Sequence, residues 1–232
     1  MAVLSAEEWQ AVLLSLKVAS VATLCLIPVG TGLAWLLARR RFWGHSLLNL
    51  VIHLPLVLPP VVTGYALLLT FGRKGVLGGF LESCCGIVFS FRWTGAALAA
   101  AVMGLPLMVR AIRLTLEAIN PEIEKSASAL GASPPLVFWR ITIPLAAPGI
   151  IAGATLAFAK ALGEFGATIT FVSNIPGETQ TIPAAIYNAT QVPGGDGAAL
   201  RLSLIAVAIS LGALILSEVI ARRSGARGGH VE

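Results

Sequence analysis

Side chains able to do chemistry are few in this 232-residue sequence. Lys160 and Glu164 stand four residues apart in an apolar run, a spacing that places both on one helix face. Opposite charges within such a run are costly to place and mark a functional or assembly role. They could form an internal ion pair that stabilises a span or a dimer. Lys160 could instead touch an anion, but Glu164 beside it would repel that anion, which favours the structural role. His53 could relay protons, yet no second relay group accompanies it, so it reads as a packed or pore-facing histidine. Cys25, Cys84 and Cys85 offer no metal spacing, and adjacent cysteines such as Cys84 and Cys85 do not bridge without strain. No catalytic residue, metal site or cofactor is expected, because no His/Cys/Asp cluster or Ser–His pairing stands out. Asn188-Ala-Thr190 matches a glycosylation sequon, a three-residue pattern common by chance.

The elements that must position these groups follow from composition. Hydrophobic residues make up 56% and charged residues 12%, with a mean hydropathy of +0.87. A soluble domain carries about 25% charge, so a cytosolic enzyme, a disordered chain and a disulfide scaffold are excluded and a membrane protein is indicated. The net charge of +5 is no nucleic-acid signal, since the basic residues sit in short clusters between apolar runs. A hydrocarbon core about 30 Å thick needs roughly 20 apolar helical residues. Five runs qualify: Val18 to Ala38, Leu47 to Phe71, Thr94 to Val109, Leu145 to Phe171 and Leu202 to Ile220. The first has no basic start and is not a cleavable signal. The second holds LPLVLPPVV (54–62) and should be kinked or interrupted, and the fourth is interrupted by Lys160 and Glu164. The expected fold is therefore all-α, a polytopic bundle of five spans forming one transmembrane domain over residues 1–232.

Five spans put the termini on opposite sides. One side would hold Arg39, Arg40, Arg41, Arg110, Arg113, Lys125, Arg140, Arg222, Arg223 and Arg227; the other would hold Arg73, Lys74, Arg92 and Arg201. Ten against four puts the N-terminus outside and the C-terminus in the cytoplasm. Residues 75–92 read as a short external or re-entrant helix; if they spanned, the later loops would swap sides. The outer loops are then about 73–93 and 172–201, and TIPAAIYNATQ (181–191) could form a short helix in the second.

Residues 117–150 read EAINPEIEKSASALGASPPLVFWRITIPLAAPGI, a helix–turn–helix on the cytoplasmic side. Asn120 is a good N-cap, Pro121 a good first helical residue, and Glu122 and Glu124 suit the positive first turn. Ile123, Ala127 and Leu130 make one face apolar, and Gly131 supplies a left-handed residue that ends the helix. Ser133 and Pro134 start a second helix, and Pro144 marks where it meets the bilayer. A short amphipathic helix held between two spans suits insertion into a partner's groove; its two leading glutamates disfavour an anionic lipid surface.

This loop resembles the EAA motif of ABC-importer permeases: an E-A-A run, Gly, a nine-residue gap, then Ile-x-Leu-Pro. Glu124, Ala127, Gly131, Ile141, Ile143 and Pro144 stand in that register. Lys125 and Ser126 replace small apolar residues and Ile143 replaces Leu; Lys125 must face water or an acidic partner. Three further segments, 54–68, 103–117 and 161–187, resemble the molybdate permease subunits of bacterial importers, to which sulfate permeases are closely related. The resemblance implies a type I importer permease in the bacterial inner membrane, working as a homodimer. It implies a cytoplasmic ABC ATPase docked on the loop at about 117–144 through Glu124, Ala127, Gly131, Ile141 and Pro144, and a periplasmic molybdate-binding protein outside. No nucleotide-binding fingerprint is present, so any motor is a separate polypeptide.

A pore for a tetrahedral dianion should use hydroxyls, backbone N–H groups and helix ends, because an arginine cage would trap the ion. The candidates lie where spans are broken or polar: Pro59, Pro60, Thr63 and Gly64 in the second, and Thr168, Thr170, Ser173 and Asn174 at the outer end of the fourth. Each could instead pack helices. A stand-alone secondary transporter is the rival reading, but five spans do not divide into inverted halves; sulfate or tungstate remain alternatives to molybdate.

Overall fold

The computed structural model of the chain describes residues 4–225, with residues 221–225 as backbone alone. Among the described residues all regular structure is helical. Arg227 lies outside them, and the side chains of Arg222 and Arg223 are not described.

Helix α1, Ala6–Arg39, opens on a capping box: Glu8 N–H donates to Ser5 Oγ (3.1 Å) and Ser5 N–H to the Glu8 carboxylate (2.6 Å). Helices α2, His45–Val57, and α3, Pro60–Phe71, are the two halves of the proline-bearing run, and they meet at 118°. The sequence predicts a kink or an interruption; the chain breaks into two helices and turns sharply, because Leu58 and Pro59 each precede a proline or sit in extended backbone that cannot continue a helix. Helix α4, Val76–Cys85, has 10 residues and is about 15 Å long, too short to span. Helix α5, Trp93–Ala118, runs well past Val109 and carries Arg110 and Arg113.

Helices α6, Pro121–Ala129, and α7, Pro134–Val137, form the expected helix–turn–helix. A π-helical turn, Phe138–Thr142, leads without a break into α8, Ile143–Leu162. The fourth run does not continue to Phe171 as one helix. It stops at Leu162, leaves residues 163–165 irregular, and restarts as the seven-residue α9, Gly166–Val172. Side chains at the break satisfy its freed backbone groups: Ala167 N–H donates to Glu164 Oε1 (2.9 Å), and Thr168 Oγ1 donates to Phe165 O (2.8 Å). Helices α10, Ile182–Thr190, and α11, Asp196–Gly225, complete the chain. Among the described residues four helices are long and apolar enough to cross a membrane; a fifth crossing requires α2 and α3 together.

The packed centre is α1, α5 and α8, with α9 and α3 against one end. Their contact faces are small: Ala19 and Ala22 of α1, Ala96, Ala99 and Ala100 of α5, Ala157 of α8. Lipid gives no hydrophobic drive for helices to associate, so close approach of small residues supplies the attraction. The first and last helices are tied by Arg201, whose Nη2 and Nε donate to Glu8 Oε1 at 2.7 and 3.2 Å. Helix α11 otherwise leaves Leu204, Val207, Leu211 and Leu214 exposed.

The α3–α9 approach is the tightest of these that involves backbone on both sides. A Cβ added at Gly64 would meet the Ala167 carbonyl oxygen and lie 2.9 Å from Ala167 Cα. Gly64→Ala should destabilise the bundle by about 1–3 kcal/mol. Gly32→Ala, with nothing within 4 Å of the added carbon, should leave stability unchanged or raise it by up to about 1 kcal/mol. Thermal melting in detergent distinguishes the two.

Candidate translocation and coupling site

Two broken helices cross at their breaks. Pro60, the first residue of α3, lies against Gly166, the first of α9: a Cβ on Gly166 would be 2.7 Å from Pro60 Cβ. The predicted segments around Pro59–Gly64 and Glu164–Thr168 therefore meet in space. Thr63, Gly64, Glu164 and Thr168 are buried there, while Pro59, Pro60 and Gly163 are exposed at its rim. Thr63 Oγ1 is buried and has no hydrogen-bond partner among the described residues. Thr168 and Thr170 spend their hydroxyls on carbonyls of their own helix, Thr170 on Gly166 O at 2.9 Å.

Ser173 and Asn174 are not at this crossing; they lie beyond the far end of α9, about 10 Å along its axis. Ser173 holds φ 66° and ψ −160°, a backbone region that side-chain-bearing residues rarely adopt. Thr179 shapes the same corner, accepting from Ile175 N–H (2.9 Å) and donating to Ser173 O (3.3 Å). Asn174 Oδ1 is buried without a partner among the described residues.

Lys160 Nζ reaches Glu164 Oε2 at 2.6 Å, and the Glu164 side chain is 1% exposed. With Oε1 bound by Ala167 N–H, both carboxylate oxygens are occupied by the protein itself. The pair holds the helix break closed. His53 Nδ1 lies 2.8 Å from Asn49 O, one turn back on its own helix.

The loop expected to couple, residues 117–144, sits at the end of the bundle where α1 finishes. Asn120 Oδ1 accepts from Glu122 N–H (3.0 Å), and Lys125 pairs with Glu122 at 2.7 Å on the exposed side. Gly131 has φ +90° and ends α6. The Ser133 side chain makes no capping bond, so α7 starts on Pro134 alone. Ala127 is half-buried and its carbonyl accepts from Ala132 N–H (3.1 Å), which closes the turn. Ile123 and Leu130 are exposed, Leu130 by 90%, leaving an apolar edge uncovered. Ile141 is half-buried in the π turn and Pro144 exposed just after it.

Glu124 points inward. Its carboxylate lies 3.2 Å from Arg39 Nε, at the end of α1, and accepts from Thr142 Oγ1 (2.8 Å), in the π turn. Arg39 Nη2 also reaches Ile119 O at 3.4 Å, at the end of α5. One carboxylate thus joins α6, α1 and the start of α8. Arg39 and Thr142 carry no signal in the sequence: Arg39 reads as one of three interfacial arginines, 85 positions from its partner.

Residues 27–225 match the family described as binding-protein-dependent transport system inner membrane component. The chain belongs to that family. As a member, it is an inner-membrane transport component and not an enzyme, and the ATPase of such permeases is a separate subunit. The molybdenum transport system permease protein ModB of Escherichia coli (strain K12) is 57% identical over 227 residues, 98% of this chain and 99% of the relative. ModB of Haemophilus influenzae is 54% identical, covering 93% of this chain and 94% of the relative. A bacterial alginate ABC transporter, crystallised with an alginate-bound periplasmic protein, has a chain of the same fold: TM-score 0.75 at 16% identity over 94% of this chain and 80% of that one.

Two outcomes follow from the geometry. Lys160→Met leaves Glu164 buried and unpaired, whereas Glu164→Gln keeps an oxygen for Ala167 N–H. The double variant should lose less stability than the two singles summed, by about 0.5–3 kcal/mol in a double-mutant cycle; strict additivity excludes an energetic pair. Arg39→Gln should speed amide hydrogen exchange in residues 122–130 and leave residues 95–114 of α5 unchanged, as exchange read by mass spectrometry will show.

Proposed function

We propose that this chain is the permease subunit of an ATP-driven importer that carries molybdate across the inner membrane. The supporting observation is the 57% identity to E. coli ModB over 98% of the chain. On this reading residues 1–232 form one transmembrane domain of five spans, α2 and α3 counting as one, with the N-terminus periplasmic and the C-terminus cytoplasmic. Two copies pair around the path. A molybdate-binding protein delivers the dianion to the loops at about 73–93 and 172–201.

The ion leaves water beside Ser173 and Asn174 and passes the crossing at Pro59, Pro60, Thr63, Gly64, Thr168 and Thr170. A spare hydroxyl on Thr63 can bond it without adding a charge that would hold it. Lys160 and Glu164 stay paired and keep the break in shape. On the cytoplasmic side α6 docks on the ATPase through its apolar edge, with Gly131, Ile141 and Pro144 shaping the loop. ATP-driven closure moves α6, and Glu124 passes the displacement to α1 and α8. The ATPase supplies the differential affinity and the permease pair is the two-state element.

The test is ATP-dependent uptake of molybdate into proteoliposomes holding the chain, its ATPase and its binding protein, with sulfate and tungstate as competitors. Uptake without the ATPase overturns the reading. Gly131→Val forces a β-branched residue to φ +90° and should abolish uptake and ATPase stimulation while membrane insertion persists. If the variant still binds and stimulates the ATPase, α6 is not the docking element.

A further inference from the structure

The geometry points to a cleft at the α6 end of the bundle as a headgroup site for an anionic phospholipid. The cleft measures about 690 Å³ and lies between the end of α1, the start of α2 and the last turns of α5. Arg39, Arg40, Arg41 and Arg113 line it, against one carboxylate, Glu117.

The charges do not cancel. Arg113 is committed to Glu117 (2.7 Å) and to Asn49 Oδ1 (3.1 Å). Arg39 is committed to Glu124. Arg40 only lies over the Trp35 ring, 5.6 Å from its centroid, and Arg41 has no acidic partner among the described residues. Two exposed guanidiniums thus face a polar cleft whose own carboxylate is already neutralised. Guanidinium forks match the paired oxygens of a phosphodiester, and basic pockets beside spans take acidic headgroups. His45 closes the wall, its Nε2 3.0 Å from Leu37 O.

The lip of the cleft selects the ligand. Trp43 is fully exposed and Phe42 partly so, and from them α2 continues with Leu47, Leu50 and Val51 turned outward. Aromatic rings at the end of a span sit at headgroup depth, and the apolar face beyond them suits acyl chains. A free phosphate or molybdate would use the arginines but not this lip. A lipid uses both, and its phosphate would rest next to the end of α1 that holds α6.

The test uses the full chain, delipidated in a neutral detergent. Binding of phosphatidylglycerol and of phosphatidylcholine with identical acyl chains is read by native mass spectrometry. Phosphatidylglycerol should be retained at least tenfold better, and Arg40→Gln/Arg41→Gln should reduce it to the phosphatidylcholine level without altering phosphatidylcholine binding or the melting temperature. Equal retention by wild type and double variant overturns the site. Displacement of the lipid by millimolar inorganic phosphate or molybdate assigns the cleft to a free oxyanion and overturns the lipid. Loss of ATPase copurification in the double variant, with lipid retention intact, assigns the arginines to the protein partner and overturns it equally.

Discussion

Backbone polar groups inside hydrocarbon must find partners within the protein, and this demand governs how the bundle tolerates its two interruptions. A break in one helix exposes several N–H and C=O groups. Here the breaks after Val57 and after Leu162 lie against each other, so each buries part of the other's irregular backbone. Glycines at 64 and 166 let the strands of backbone approach, and the Glu164 carboxylate with the Thr168 hydroxyl absorbs the remaining groups. The irregular backbone is thus held by packing the two breaks against each other.

The scarcity of charge gives the buried Glu8 and Glu164 and the half-buried Glu124 bridging tasks. Glu8 joins the first helix to the last, Glu164 closes the α8–α9 break, and Glu124 joins α6 to α1 and the π turn. All three have oxygens engaged by partners far away in sequence or at a helix terminus. In a bundle whose helices meet through alanine and glycine, such contacts set which residue faces which, a matter that smooth apolar surfaces leave open.

What could be read from the sequence followed from locality. The apolar runs, the Asn120–Pro121 start of α6 and the Gly131 turn depend on neighbours within a few residues, and the structure has them where capping chemistry puts them. The double proline announced a break but not its 118° angle, which depends on what α3 packs against. The charges at Lys160 and Glu164 announced an interruption of the fourth run but not its form: α8 stops at Leu162 on Gly163, and Glu164 caps the restart by accepting from Ala167 N–H. Glu124 read as an outward contact in an acidic first turn, and its inward pairing needed Arg39, which no local rule brings near. Ser173 and Asn174 were grouped with Thr168 by sequence proximity, yet they lie past the end of α9 opposite its crossing with α3.

The π turn at Phe138–Thr142 carries a consequence for how this chain can vary. A π turn is an α-helix with one residue too many in a single loop of its spiral. The wider turn takes up that residue locally, so deleting one residue there would restore regular winding with little rotation of the segment before it. Such a deletion would cost the placement of Thr142, the π-turn residue whose hydroxyl donates to Glu124. In this five-residue stretch the identity at Thr142 is therefore more tightly fixed than the residue count.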